Sequence, residues 1–219
     1  MTISSVVCAN PALFPHDFNT SMLKKTSNND EPDARVAAGY LMNTLNFGRG
    51  RLQTGLRFEA TNEDNLGYIV VNDANGNFVS SNPVRGNGSY LDVLPSVQVR
   101  FRLTDSAAIR AVYGRGLSRP NFGDLIPFLQ IDDQRNQISV GNPKLAPEHA
   151  NDYDLLYEQS LKPLGIIQAG FFYKDLSSPI VSIRTPVATG VYAWFNQAQS
   201  VNAGSAHVAG VEVSYEHQL

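Results

Sequence analysis

The sequence predicts an all-β protein: an antiparallel up-and-down transmembrane β-barrel segment of about seven strands that do not close into a complete barrel. Two observations predict this fold. Apolar and polar residues alternate with a period of two in seven segments, as they do in strands whose side chains point to opposite faces. Short and long connections alternate between those segments, as in membrane barrels with short periplasmic turns and long outer loops.

The alternation is clearest in residues 97–103. Val97, Val99 and Phe101 share one face there, opposite Arg100 and Arg102. Helical spacing fits none of the seven segments as well as alternation does. In chain order, the predicted strands cover 35–47, 51–60, 97–103, 107–116, 153–158, 167–174 and 211–216.

The connections between the predicted strands differ sharply in length. Short links lie at 48–50, 104–106 and 162–165, whereas long links cover 62–89, 117–150 and 176–206. Connections longer than about 15 residues are uncommon in compact domains. The regular alternation of short and long links therefore favours the two ends of a membrane barrel.

The first long link contains Asn75-Gly76 between two β-prone runs, which predicts a type I′ hairpin turn. Asp73, Asn75 and Asn77 could also be read as calcium ligands. Their spacing is not that of a calcium loop, which needs further oxygen ligands and a distant Glu. A turn is therefore predicted here, and no metal site.

Alternation alone leaves two readings of the apolar face open. It is the core of a soluble sandwich, or it is the lipid-facing side of a barrel whose polar face lines a lumen. Inward Arg and Glu could pair across neighbouring strands in the second reading. The candidate lumen residues are Arg57, Glu59, Arg100, Arg102, Arg110, Asp154, Glu158 and Glu212.

Aromatic residues near strand ends favour the membrane reading. Membrane proteins concentrate Tyr and Trp at the two lipid–water interfaces. The predicted members of this aromatic girdle are Tyr40, Tyr113, Tyr153, Phe172, Tyr173 and Tyr215.

Composition excludes several classes of protein. The net charge is −3 without a basic block, so nucleic acid is not an expected partner. Cys8 is the only cysteine, which excludes an internal disulfide and predicts an unreactive thiol. The chain has no run of about 18 apolar residues, so no transmembrane helix is expected. It also has no secretory signal at its start, which is compatible with a piece of a longer protein.

No motif for catalysis, a cofactor or a metal is present, so the protein is predicted not to be an enzyme. There is no Gly-x-Ser-x-Gly elbow, phosphate-binding glycine loop or His-Glu-x-x-His helix. The four histidines, His16, His149, His207 and His217, lack the spacing of metal ligands. They are predicted to lie in loops or to face solvent.

Four runs resemble the barrels of TonB-dependent receptors. They are AVYGRGLSRPNFGDLIPF (111–128), ISVGNPKLAPEHANDYDLLYE (138–158), GIIQAGFFYKDLSSPI (165–180) and VAGVEVSYE (208–216). The second contains the Gly-Asn-Pro-x-Leu and Pro-Glu elements of a loop typical of this family. The runs cover about half of the chain in the expected order.

This resemblance implies a receptor in the cell outer membrane that imports a scarce small ligand. It implies a barrel of about 22 strands with an N-terminal plug domain through which the TonB protein supplies energy. The expected partners are therefore outer-membrane lipid, the TonB system and an unidentified small ligand. The chain has no plug, no TonB box and no terminal strand ending in an aromatic residue, so it is expected to be a fragment from the C-terminal half of such a barrel.

The expected organisation is an irregular N-terminal segment, 1–34, followed by a partial barrel domain, 35–219. Two alternatives remain at this point. One is a soluble all-β module that binds a ligand or carbohydrate. The other is a β-rich hydrolase, which would need a convergent group of carboxylates or a Ser/His cluster.

Overall fold

The computed structural model describes residues 31–72, 78–132 and 135–217, and it confirms the all-β prediction. Eleven strands form one curled sheet, and the only helix among the described residues is α1 (Phe122–Leu125). The strands are β1 (Glu31–Phe47), β2 (Gly50–Asn72), β3 (Phe78–Arg102), β4 (Ala107–Ser118), β5 (Leu129–Asp132), β6 (Gln137–Val140), β7 (Glu148–Leu161), β8 (Gly165–Ser177), β9 (Ile180–Pro186), β10 (Asn196–Asn202) and β11 (Ser205–Glu216).

Seven strands form a continuous antiparallel wall in the order β1, β2, β3, β4, β7, β8 and β11. These wall strands contain the seven segments predicted from alternation, except that β3 ends at Arg102, one residue before the predicted end. Each wall strand pairs with the next one along the chain, whether a short or a long connection joins them. The up-and-down order is thereby confirmed for the described residues.

The wall strands are longer than predicted on one side. β2 and β3 remain paired far beyond the alternating region, with Asn62 opposite Ser89 and Leu66 opposite Arg85. Much of the predicted loop 62–89 is therefore strand. Residues 62–65 are polar on both faces and residues 66–71 are largely apolar on both, so the period-two signal disappears there although the hydrogen-bonded ladder continues.

Some expectations fall outside the described residues. These include the Asn75-Gly76 turn with Asp73 and Asn77, the thiol of Cys8, the ring of His16 and residues 1–30. The expected irregular segment, 1–34, overlaps the first strand. β1 begins at Glu31, and residues 31–34 pair with β2.

Four short strands that the sequence analysis did not predict lie within the long connections. β5, β6, β10 and β9 pair in this order, and we call them the loop sheet. A parallel bridge between Ile69 of β2 and Leu129 of β5 attaches the loop sheet to the wall. The strands are four to seven residues long, too short for a clear alternation to predict them.

The two faces of the wall differ in polarity. On the outer face of β3, apolar side chains run from Leu91 to Phe101, and both of these are well exposed. This band matches the roughly 9–11 residues of a tilted transmembrane strand. Beyond it the outer face becomes polar, and Arg85 Nη1 lies 2.9 Å from Asp64 Oδ2.

A row of tyrosines lies on the outer face where neighbouring strands are in register. The ring centroids of Tyr113 and Tyr153 are 5.1 Å apart, and those of Tyr153 and Tyr173 are 6.1 Å apart. Tyr215 lies on the same face, where its hydroxyl donates to the Leu164 carbonyl oxygen at 2.5 Å near a short turn.

Two members of the predicted aromatic girdle were assigned to the wrong face. Tyr40 pairs with Arg57, and Phe172 pairs with Asp154, so both belong to the inner face of the wall. Successive side chains of a strand point to opposite faces, so Phe172 cannot share a face with Tyr173, which lies in the outer row.

Buried apolar side chains are few in the part of the chain that the structure describes. They are Ala107, Ala108, Leu125, Ile126, Ile138 and Leu145. By contrast, Leu41, Val211 and Val213 on the outer face are 73–75% exposed. A soluble sandwich would cover such a face with a second sheet, and the described residues contain no second sheet over it.

Candidate functional site

All eight predicted lumen residues lie on the inner face of the wall. The register of the wall strands establishes this. In each pair of strands, the residues opposite these eight side chains also lie on the face away from the apolar band. Arg100 lies opposite Arg110, for example, and Glu212 lies opposite Gly170. The inner face is also the one onto which residues 119–132 and 135–147 fold, and we call these residues the inward segment.

The structure brings some of these eight residues together. Glu158 lies between two arginines, with its carboxylate oxygens 3.9 Å from Arg100 Nη2 and 3.8 Å from Arg110 Nη2. On β2, Arg57 Nε donates to Glu59 Oε1 at 2.5 Å. Arg and Glu therefore do pair on this face, although only Glu158 does so across strands.

The other three predicted residues do not form ion pairs within the described residues. Arg102, Asp154 and Glu212 each present an unpaired charge to the inner face. A concave region of about 560 Å³ includes Asp154 and Glu212, with the Gly170 backbone between their strands. Lys174 Nζ lies on this face too, 3.3 Å from Asp152 Oδ1.

A buried polar cluster lies where the inward segment meets the wall. Arg119, the first residue of that segment, donates from Nη2 to Glu59 Oε2 and, at 3.3 Å, to Thr61 Oγ1. Glu59, Thr61 and Glu63 are all buried. The side chain of Glu59 thus accepts from two guanidinium groups, which offset the cost of burying its charge.

The cluster extends to β3 beyond the end of the apolar band. The Tyr90 hydroxyl donates to Glu63 Oε1 at 3.0 Å. Burial, and then the hydrogen bond to the Glu63 carboxylate, raise the pKa of Tyr90 above its usual value.

His149 was wrongly predicted to be a solvent-facing or loop histidine. It lies on β7, it is partly buried, and its Nε2 is 2.6 Å from Asp92 Oδ1. Asp92 is itself buried, at 6% exposure. His207 and His217 are exposed, as predicted.

Sequence reasoning missed Arg119 and Thr61, which contact each other where the inward segment meets the wall, and it missed the wall pairs Glu63–Tyr90 and Asp92–His149. The sequence holds one signal for Arg119: it lies just after the predicted strand that became β4. A charged residue at a strand end can reach side chains on the inner face of the wall. Its partner Glu59 is 60 positions away in the chain, so only the folded wall identifies it.

The Gly141-Asn142-Pro143 and Pro147-Glu148 elements join two long connections. Asn142 Nδ2 donates to the Ser200 carbonyl oxygen at 3.0 Å, and Glu148 Oε2 accepts from the Ile180 amide at 3.3 Å. Asn202 accepts from the Ala146 amide and donates to its carbonyl oxygen, both at 2.9 Å. These side chains hold the inward segment against β9 and β10.

An exposed loop at the tip of the β9–β10 hairpin carries the only tryptophan. Trp194 is 92% exposed and adopts φ +85°, a left-handed backbone conformation that is unusual for a bulky residue. The Trp194 amide donates to the Val187 carbonyl oxygen at 3.4 Å, and in the same loop the ring centroids of Tyr192 and Phe195 lie 5.3 Å apart. The loop thus presents an indole to solvent.

Within the three described ranges, no group of three or more His, Cys, Asp or Glu side chains is arranged to hold a metal ion. None of the helical residues there forms a helix that is long and apolar enough to cross a membrane.

Comparison with known proteins gives one family match. A family model described as "TonB dependent receptor-like, beta-barrel" matches residues 9–219. No curated protein matches the sequence.

Solved structures with a similar fold include bacterial receptors. A double mutant of the Serratia marcescens hemophore receptor HasR, in complex with its hemophore HasA and heme, matches with a TM-score of 0.67 and 14% identity over 85% of this chain and 32% of that chain. A ferric enterobactin receptor mutant from Pseudomonas aeruginosa in complex with enterobactin matches with a TM-score of 0.53 and 18% identity, over 84% of this chain and 33% of that chain. The siderophore receptor PirA of the same organism matches with a TM-score of 0.53 and 18% identity, over 85% of this chain and 40% of that chain. The chain thus spans between about a third and two fifths of these structures.

Proposed function

The chain belongs to the TonB-dependent receptor-like β-barrel family, and from this membership we propose that it forms part of the wall and outer loops of an outer-membrane barrel that imports a small ligand. In this proposal the wall meets lipid on its outer face and encloses a water-filled lumen on its inner face. Heme and enterobactin are bound by two of the similar structures, so iron complexes are the first ligands to test.

One observation carries the membrane placement. The outer face of the wall is apolar and exposed, while charged residues lie on the inner face. Exposed apolar patches of more than a few hundred Å² are rare on soluble monomers. In a bilayer the same surface contacts acyl chains, and the backbone groups of the wall are satisfied by the ladders between strands.

The alternative of a soluble all-β binding module is contradicted. The family match covers most of the chain, and a soluble module would need a second layer over the band between Leu91 and Phe101. The described residues provide no such layer.

The proposed partners follow from the proposed barrel. Lipid contacts the outer face, and the ligand contacts the outer loops, among them the inward segment and the Trp194 loop. Energy from TonB would act through a plug domain that fills the barrel, which the eight inner-face residues would contact. We propose a non-catalytic role for the chain, as a receptor and conduit.

Cysteine labelling of the receptor in its native membrane tests the placement of the wall. In a Cys8→Ser background, Val99→Cys and Phe101→Cys are expected to resist a water-soluble maleimide, because lipid shields the outer face. Arg100→Cys and Arg102→Cys are the matched controls on the same strand and should react after the lumen is opened with urea. Equal labelling at all four positions would contradict the proposed barrel.

A further inference from the structure

We propose that a recess on the outer face of the wall binds an acyl chain of a phosphorylated lipid, and that Arg115 contacts the phosphate of the same lipid. The recess lies over β3, β4, β7 and β8, and we call it the outer recess. The inference rests on the proposed function, which places the whole outer face in lipid, and it assigns to one part of that face a lipid of defined chemistry.

The outer recess is a depression of about 400 Å³ in the apolar band. Ala111 lies within it, directly opposite Val99 on β3 and Leu155 on β7. The other residues that line it are Val97, Tyr113, Tyr153 and Phe171 from the outer face, and Val112 and Asp154 from positions that alternate with the outer face. The short side chain of Ala111 leaves room for a chain of methylene groups between its larger neighbours.

The tyrosine row marks one border of the outer recess as a lipid–water boundary. The Tyr113 hydroxyl donates to Asn151 Oδ1 at 3.2 Å, and the Tyr173 hydroxyl lies 3.1 Å from His207 Nδ1. Both polar partners lie on the same face, one step closer to the long connections. Tyrosine at a membrane surface keeps its ring in the apolar region and its hydroxyl in the polar region. The outer recess therefore lies on the acyl-chain side of this boundary.

Arg115 places a positive charge on the polar side of the boundary. It lies two residues beyond Tyr113, so both side chains belong to the outer face, and it is exposed. Its register partner on β7 is Asn151, which is neutral. Within residues 31–72, 78–132 and 135–217, the Arg115 guanidinium has no hydrogen bond or ion pair. Its donors are therefore free for an anion that the chain itself does not supply.

Acidic side chains on the same part of the outer face leave Arg115 uncompensated. In the described wall strands they are Glu31, Asp33, Asp64 and Asp175, of which the last three contact Arg35, Arg85 and His207 at 2.9, 2.9 and 3.1 Å. Glu31 lies on β1, three strands away from β4. The acidic groups are thus paired with other cations or distant from Arg115.

These features favour a phosphorylated lipid over other occupants. An anion without an acyl chain would leave the outer recess empty, whereas a lipid brings its phosphate to the lipid–water boundary together with its chains. Guanidinium groups bind phosphate oxygens through two parallel hydrogen bonds. A symmetric contact with a second copy of the chain would bring two Arg115 side chains into one interface, where like charges repel.

Native mass spectrometry of the full receptor in detergent tests the inference with two lipids of equal chain length, phosphatidic acid and phosphatidylcholine. We expect phosphatidic acid to bind more tightly, because choline places a positive charge beside the phosphate of the other lipid. Arg115→Gln should weaken the binding of phosphatidic acid about fivefold, as expected when one basic residue near an anionic lipid is lost, and should not change the binding of phosphatidylcholine. Arg85→Gln is the matched control, since Arg85 already pairs with Asp64, and it should match the unmodified receptor.

A second pair of variants tests the outer recess itself. Ala111→Phe should fill the recess and weaken the binding of both lipids. Ala169→Phe is the control, because Ala169 lies on the outer face of β8 opposite Tyr157 and Val213, outside the lining of the recess. Both variants keep an apolar side chain toward lipid, so the barrel should form in each, and heat-resistant migration on gels checks this.

Several results would overturn the inference and leave the proposed function standing. One is equal binding of phosphatidic acid by Arg115→Gln and the unmodified receptor, and another is unchanged lipid binding in Ala111→Phe. Displacement of the lipid by inorganic phosphate is a third, because a free anion would then be sufficient. A receptor dimer that Ala111→Phe dissociates would assign the outer recess to a second copy instead. An unmodified receptor that is folded and monomeric in buffer without detergent would contradict the proposed function itself.

Discussion

Glu59 shows how a single residue connects the wall with a loop far away in the sequence. It lies on the inner face at the edge of the apolar band, and it accepts from Arg57 on its own strand and from Arg119 at the start of the inward segment. A buried carboxylate must be paired to be stable. The side chain therefore anchors the inward segment as well as lining the wall.

Replacement of Arg119 tests this anchor. Arg119→Ala should destabilise the docked inward segment by about 1–3 kcal/mol, because it leaves a buried acceptor with one partner fewer. Limited proteolysis of the receptor in detergent measures the effect as faster cleavage within 119–147.

Arg85→Ala is the control, since it removes an exposed pair with Asp64 that contributes about 0–1 kcal/mol. Equal cleavage of the two variants would show that Arg119 does not hold the inward segment.

At the level of elements, the long connections are folded structures rather than free loops. The pairing of β1 with β2 ends where Glu31 lies opposite Leu66. Beyond that point the loop sheet pairs with the same edge of β2, at Ile69. Side chains of Asn142, Glu148 and Asn202 then join the two longest connections. The Gly-Asn-Pro-x-Leu and Pro-Glu elements therefore have a structural role in this chain.

Gly141 is the position where this packing leaves no space for a side chain. A Cβ there would collide with the backbone carbonyl oxygen of Ile126, whereas a Cβ at Gly123 would meet nothing within 4 Å. Gly141→Ala should therefore displace the inward segment, because a backbone atom cannot move aside as a flexible side chain can.

Hydrogen exchange of residues 124–145 measures this displacement, and Gly123→Ala is the matched control. We expect faster exchange in Gly141→Ala alone. Unchanged exchange in that variant would mean that the segment is not held against Ile126.

At the scale of the whole molecule, one sheet separates two environments. Its outer face has no protein cover in the described ranges, while the inner face carries the ion pairs and the inward segment. The free energy gained by transferring the outer face from water to lipid therefore contributes much of the stability of the proposed barrel.

A charge placed in the middle of the apolar band on β3 tests this contribution of the outer face to stability. Val97→Arg should destabilise the folded receptor in a bilayer by about 2–4 kcal/mol, as expected for arginine at the midplane on the lipid side. Gln98→Arg, one residue away on the inner face, should have little effect.

Refolding into lipid vesicles across a urea series measures both variants. If Gln98→Arg were as destabilising as Val97→Arg, or more so, then the assignment of the two faces would be reversed.

The sequence alone was sufficient to predict the seven wall strands, their up-and-down order and the face of all eight inner residues. Side chains alternate along a strand, so a local pattern such as Val97–Leu103 determines which residues share a face. It predicted β-prone runs on either side of Asn75-Gly76 but not the full extensions of β2 and β3, whose faces do not alternate there, or the loop sheet, whose short strands pair across the chain. The alternation alone places Phe172 on the face opposite Tyr173, but only the tertiary structure decided that Arg119 reaches Glu59 and that His149 reaches Asp92. These contacts depend on register and on chain segments about 60 residues apart, and no local pattern encodes them.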